Sequence, residues 1–229
     1  MTRDRENARR LQATIEDAIK IAPAPSRAQV SRTRSRLLAA GLVASVVAVG
    51  LTGGVHLNGR PTTLVYGTLL GWAAIAMAGA WLAIGRRGAM LGPPTRLLIA
   101  CAAAMGPVLL AWYALLEHLL GAAGEAAVPV SMHVTCFAIT LAYAAGPLAA
   151  VGATYRAIDP VHPRATGALL FAAIGALGGA LIVLHCWVGE LAHVALGHVL
   201  PLVGLAAAGA LVGDRLFGTT SLPGRGRLG

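Results

Sequence analysis

Charged residues are scarce in this chain. Only 12% of its 229 residues are charged, whereas 57% are hydrophobic. A single soluble domain carries far more charge on its surface, so the composition argues against that class. The formal net charge of +9 does not indicate a nucleic-acid-binding surface, because the basic residues follow a positional bias that is described below. We therefore expect no direct contact with nucleic acid.

Motifs of catalysis are also missing. The sequence contains no P-loop, no nucleophile elbow, no His-Glu-x-x-His and no Cys-x-x-Cys pair, so nothing indicates an enzyme. Acidic and basic residues are absent from the middle of every long apolar block. Proton pumps and ion-coupled carriers usually need such a residue within the membrane. This absence argues against a transporter.

The apolar residues instead form six blocks, each close to the roughly 20 residues that a membrane-spanning helix needs. The blocks cover residues 37–55, 63–84, 97–116, 133–154, 165–184 and 193–213. The sequence thus predicts an all-α polytopic membrane protein with a six-helix transmembrane domain over 37–213. Segment 1–36 is a polar N-terminal segment and 214–229 a polar tail. The first block starts too late and is too long for a cleaved signal peptide, so we expect it to remain in the protein.

The basic residues lie almost entirely on one side of the predicted membrane. Segment 1–36 holds nine of them, loops 85–96 and 156–164 hold three and two, and the tail holds three. The opposite loops hold only Arg60. Cytoplasmic loops collect Lys and Arg, so both termini are predicted to be cytoplasmic.

Within the N-terminal segment, residues 4–21 are predicted to form a short amphipathic helix. Leu11, Ile15 and Ile19 recur every fourth residue and give it one narrow apolar stripe. Such a stripe docks into the groove of a protein partner or lies on the lipid surface. The residues alone favour neither interpretation.

Histidine and cysteine concentrate toward the other side of the membrane, at the ends of the fourth and fifth blocks. The candidate residues are His133, Cys136, His185, Cys186, Glu190 and His193. His133 and Cys136 share a helical face. If the chain stays helical after the fifth block, the last three candidates also share a face.

Three interpretations of this group are open. Cys136 and Cys186 form a disulfide, which persists in an oxidising compartment. Alternatively, thiolates and imidazoles bind a soft or borderline metal ion, the one cofactor that the sequence suggests. In the third interpretation the cysteines are buried apolar residues without chemistry, as we expect for Cys101.

A family resemblance is carried by the second half of the chain. Its features are Cys136, Gly146-Pro147-Leu148, Pro163-Arg164, Leu184-His185-Cys186, His193, Gly197-His198 and the closing Gly209-Ala210-Leu211-Val212-Gly213-Asp214-Arg215-Leu216. Together they resemble the NrsF-type anti-sigma factors of bacteria. Members of that family are six-span inner-membrane proteins that hold an extracytoplasmic-function sigma factor inactive. Their outward-facing cysteine pair takes part in stress sensing.

The resemblance implies a function for both faces of the protein. Cys136 and Cys186 match the sensing pair, and Leu11, Ile15 and Ile19 become the expected contact with a sigma factor. The expected function is a membrane-bound, non-catalytic anti-sigma factor that releases its partner on envelope, oxidative or metal stress. The alternatives are a small-solute or metal-ion transporter with an outer His/Cys site, and a membrane scaffold.

Overall fold

The computed structural model describes most of the chain from residue 27 onward. The described residues are Glu6, Gln12, 27–54, 60–84, 93–120, 128–154 and 161–217. Residues 1–36 and 37–229 form two compact units, and the three-dimensional contacts below lie within the second. The predicted stripe of Leu11, Ile15 and Ile19 lies outside the described residues.

Six helices make up the regular structure of this described part. They are α1 (Arg27–Leu51), α2 (Thr62–Ile84), α3 (Thr95–Leu120), α4 (Val130–Thr154), α5 (Pro163–Ile182) and α6 (Leu191–Phe217). Helices α2 to α6 are long and apolar enough to cross a membrane, and α1 adds a shorter apolar stretch, Ser35–Leu51. The all-α class is thereby confirmed for the described residues, and five of the helices have the length and composition of membrane spans. The sixth span and the orientation of the termini stay predictions.

Prolines mark where four of these helices begin. The carbonyls of Pro61, Pro94 and Pro129 accept hydrogen bonds from the first turns of α2, α3 and α4, and Pro163 occupies the first turn of α5. A proline suits this position because its fixed φ is helical and its missing N–H would have no partner within the helix. The prolines therefore set the helix starts at the ends of the apolar blocks.

Helix α5 is the central element of the bundle. In its most apolar 18-residue window 83% of the residues are buried, compared with 22–39% for the other four long helices. It is rich in Gly and Ala, which lets its neighbours approach closely. At Gly209 of α6, an added Cβ would lie only 2.2 Å from the carbonyl oxygen of Gly167. Trp72 and Tyr143 are fully buried.

Helix α1 contacts α4 along one strip. Gly41 faces Gly146 so closely that a Cβ on Gly41 would lie 2.8 Å from the carbonyl oxygen of Gly146. Ser45 donates a hydrogen bond to the Tyr143 carbonyl over 2.7 Å, and the hydroxyls of Thr52 and Tyr143 are hydrogen-bonded. The other face of α1 is exposed at Leu42, Val43, Val46, Val47 and Leu51.

The chain does not remain helical after α5. The carbonyl of Ile182 accepts hydrogen bonds from the N–H groups of His185 and Cys186, which closes the last turn. Glu190 is extended, with ψ at 129°, and caps α6. The condition under which Cys186, Glu190 and His193 would share one helical face is therefore not met. The physical cause is the short turn after Ile182 together with this extended segment.

Candidate functional site

Two cysteines meet near one end of the bundle. Cys136 lies in the second turn of α4, and Cys186 lies in the segment between α5 and α6. Their sulfur atoms are 3.6 Å apart, and both residues are buried as free thiols. Arg60, from just before α2, donates a hydrogen bond to the carbonyl of Cys186 over 2.7 Å. The sulfurs are thus held side by side by three different parts of the chain.

Two histidines of α6 complete the cluster. His193 Nε2 lies 3.2 Å from the sulfur of Cys186, and the His198 ring lies 5.3 Å from the His193 ring between centroids. The metal-ligating atoms of Cys136, Cys186, His193 and His198 all lie within 4.8 Å of one another. All four side chains are buried. We call these four residues the thiol–imidazole cluster.

A π-helix brings the two histidines together. Residues Val194–Val199 of α6 form a π-helical segment that includes His198 and directly follows His193. In an α-helix, side chains five positions apart point roughly 140° away from each other. The i→i+5 hydrogen bonds of a π-helix place them close to the same face instead, and such segments recur at functional sites. The local backbone therefore aims both rings at the sulfurs.

Small and hydroxyl side chains let α6 approach α4 at this point. A Cβ on Gly197 would lie 3.1 Å from the Cβ of Cys136, so only glycine fits there without displacing α4. Thr140 of α4 donates a hydrogen bond to the Gly197 carbonyl over 3.1 Å. One bond and one close contact thus fix the π segment against the helix that carries Cys136.

The imidazoles of the cluster are left with unused polar atoms. Both ring nitrogens of His198 and Nδ1 of His193 are buried without a hydrogen-bond partner among the described residues. Buried polar groups are nearly always hydrogen-bonded, so three such atoms in one place need an explanation.

The surroundings of Cys186 favour its thiolate. The hydrogen bond from the Cys136 thiol is the largest influence that lowers the pKa of Cys186, and contacts with His193 and His198 lower it further. Burial acts in the opposite direction because it disfavours the charged form. The net direction is downward, since the hydrogen bonds to the sulfur outweigh its desolvation.

Three of the residues predicted from the sequence lie outside the cluster. His133 is half-buried with its ring centroid 4.9 Å from that of His193, and its Nδ1 lies 3.3 Å from the Pro129 carbonyl. His185 has its Nδ1 3.4 Å from the carbonyl oxygen of Gly54. Glu190 accepts a hydrogen bond from the backbone N–H of Val128 over 3.4 Å.

His198 is the member that the sequence reasoning missed. The sequence names it only within the Gly197-His198 pair of the family resemblance, and an α-helical projection points it away from His193. The five-residue spacing of His193 and His198 is the sequence feature that could have identified it. This spacing brings the two rings together only if the start of α6 is π-helical.

Fold and site together define a class: a helical membrane protein with a buried pair of thiols and a pair of imidazoles near one end of its bundle. The family described as NrsF, negative regulator of sigma F, matches residues 19–218. Because the match covers most of the chain, this protein belongs to that family. It is accordingly a negative regulator of a sigma factor, in a regulatory rather than a catalytic family. No curated protein matches the chain, and no solved structure does.

Proposed function

We propose that this protein is a membrane-bound anti-sigma factor that sequesters an extracytoplasmic-function sigma factor and releases it when stress chemistry reaches the thiol–imidazole cluster. Family membership supports the sigma partner. The distribution of basic residues supports a bacterial inner-membrane protein with six spans and both termini in the cytoplasm. In this arrangement the cluster faces the outer side, where stress agents arrive first.

The sigma-binding element is the N-terminal segment, through Leu11, Ile15 and Ile19. These residues recur every fourth position, and a groove on a protein partner would bury the apolar stripe that this spacing predicts. The last residues of the N-terminal segment belong to α1, which begins at Arg27. We therefore propose that a displacement of α1 alters sigma-factor binding.

Shared packing supports the coupling proposal. Val49 of α1 is 6% exposed and belongs to the same buried apolar cluster as Cys136 and Cys186. We expect a reaction that moves the two sulfurs to alter the packing of this cluster. Allosteric couplings of about 1–3 kcal/mol between two sites change a binding affinity some 5- to 150-fold. A small displacement of α1 is enough for that.

Co-purification in mild detergent tests the capture step. The sigma factor is expected to elute with the full chain and to be lost from a variant in which Leu11, Ile15 and Ile19 are replaced by serine. A control variant carries serine at Ala13, which projects away from the stripe in a helix, and is expected to retain the sigma factor. Equal retention by both variants would overturn the assignment of the stripe.

Cysteine replacements test the sensing step. Cys136→Ser and Cys186→Ser are each expected to make transcription insensitive to thiol-reactive agents and thiophilic metals, either permanently off or permanently on. Cys101→Ser is the matched control, since Cys101 lies near the opposite end of the bundle, in the second turn of α3. A reporter gene under the sigma factor gives the readout. A normal response in both test variants would remove the thiol pair from the mechanism.

A further inference from the structure

We propose that Cys136, Cys186, His193 and His198 together bind one divalent thiophilic metal ion, of the Zn²⁺ and Cd²⁺ type, in a closed four-coordinate site. The site is the one assigned above to sensing, so the inference deepens the proposed function. Metal binding itself is measured without a sigma factor. Failure of one proposal is therefore distinguishable from failure of the other.

The positions of the sulfurs suit two ligands of one ion. Zn–S bonds of about 2.3 Å at tetrahedral angles place two bound sulfurs roughly 3.8 Å apart. The sulfurs of Cys136 and Cys186 are 3.6 Å apart. His193 Nε2, at 3.2 Å from the Cys186 sulfur, is also at the spacing of a second ligand. All four ligand atoms lie within 4.8 Å of one another, so side-chain shifts of about 1 Å complete the tetrahedron.

The unused imidazole nitrogens distinguish a metal from the other interpretations. A disulfide accounts for the sulfurs of Cys136 and Cys186, but it leaves His198 buried with no partner at either ring nitrogen. A metal ion bound by Nε2 of His193 and by one ring nitrogen of His198 gives His198 the partner that a disulfide does not. Buried polar atoms that lack partners are costly. The ion relieves that cost for one nitrogen of His198, at the place where the π-helix has aimed its ring.

Ligand number and charge define the kind of ion. Two thiolates neutralise a divalent cation, and two neutral imidazoles complete its coordination without adding charge. Binding forms two metal–sulfur and two metal–nitrogen bonds, and any proton still held by either sulfur passes to solvent. No electron is transferred. Four protein ligands leave no open position for a substrate, which is the pattern of a structural or sensing site and not a catalytic one.

Cobalt substitution tests the site in the full-length protein. The chain is purified in mild detergent, reduced, stripped with a chelator and titrated with Co²⁺. We expect one Co²⁺ per chain, with the intense visible bands of a tetrahedral ion and a thiolate-to-cobalt charge-transfer band. Zn²⁺ should displace the cobalt and bleach both. A weak octahedral spectrum without charge transfer would overturn the proposal.

Histidine variants separate a four-ligand site from binding by the thiols alone. His193→Gln and His198→Gln are each expected to weaken Zn²⁺ binding, measured by chelator competition, by at least about tenfold. His118→Gln, at an exposed position on α3, is the matched control and should bind as the parent chain does. Zn²⁺ affinity unchanged in both test variants would refute the role of the imidazoles.

A separate readout guards against loss of fold. Size-exclusion elution and thermal unfolding in detergent are recorded for every variant. If a glutamine variant does not fold, Cys136→Ser replaces it, and that variant should lose the charge-transfer intensity of one of the two sulfurs. Full intensity in a folded Cys136→Ser protein would contradict the proposal equally.

Discussion

Gly209→Ala is expected to separate α5 from α6. An added Cβ at Gly209 lies 2.2 Å from the carbonyl oxygen of Gly167 and 2.8 Å from the Cβ of Phe171. Ordinary contact begins near 3.4 Å, so the helices must move apart by about 1 Å. The nearest atoms are backbone, and no side-chain rotation relieves the clash. Overpacking of this kind costs about 1–3 kcal/mol.

Gly204→Ala is the matched control for this prediction. Gly204 lies on the same helix, and a Cβ there meets nothing within 4 Å. It should gain up to about 1 kcal/mol from helix propensity alone. The same gain partly offsets the clash at Gly209, so the two variants are expected to differ by roughly the overpacking cost, 1–3 kcal/mol. Equilibrium unfolding in mixed detergent and SDS micelles measures this difference, and equal stabilities would refute the close α5–α6 contact.

Three further variants test the surroundings of the site. Arg60→Gln removes a charged donor from the Cys186 carbonyl, a bond worth about 1.5–3 kcal/mol. Alkylation of Cys186 should accelerate about tenfold or more. An unchanged rate would argue that the hydrogen bond from Arg60 does not hold Cys186 in place. Thr140→Val removes the bond to the π segment and should cost about 1 kcal/mol in SDS unfolding, whereas no loss would argue that this bond is unimportant. Val49→Ala should shift the stress threshold of a sigma-dependent reporter, while Val47→Ala, at a position 53% exposed, should not; identical thresholds would contradict coupling through α1.

The positions of the apolar helices could be predicted closely, because the residues of a helix that lipid surrounds must be apolar. The second block was expected at 63–84 and the helix is Thr62–Ile84. The first block was expected from residue 37, yet α1 begins at Arg27. The additional turns are basic, so they carry no hydropathy signal although they continue the helix. Hydrophobicity locates the part of a helix that lipid surrounds, and the helix itself extends beyond it.

Glycines four residues apart, a spacing that permits close helix approach, do not all lie at helix contacts in this structure. Gly209 and Gly213, four residues apart, both lie against the backbone of α5. Gly50 and Gly54 have the same spacing, but a Cβ on either would meet nothing within 4 Å. At Gly54 the glycine serves a positive φ of 80° instead. Spacing shows that a face permits close approach, whereas the partner depends on how the helices assemble.

The sequence singles out Cys136, Cys186 and His193 as candidate site residues, whereas His198 enters only through the family resemblance. Cys136 and Cys186 lie at similar predicted depths in the membrane, and both belong to the family resemblance. Neither argument depends on the local backbone conformation. The selection of histidines relied on α-helical geometry across a region that is first extended and then π-helical. Backbone departures of this kind depend on contacts between α4 and α6, such as that of Gly197 with Cys136. Residue spacing along one segment carries no information about them.

The architecture also indicates which helix would transmit a change at the cluster. Cys186 follows α5, whose apolar window is 83% buried, and Cys136 lies on α4, whose window is 39% buried. A displacement of α5 disturbs contacts on every side, while α4 has lipid-facing surface along much of its length. Altered ligation or oxidation of the sulfurs should therefore move α4 more than α5. Because Ser45 of α1 donates a hydrogen bond to α4 and Val49 of α1 shares an apolar cluster with both cysteines, that motion is expected to displace α1.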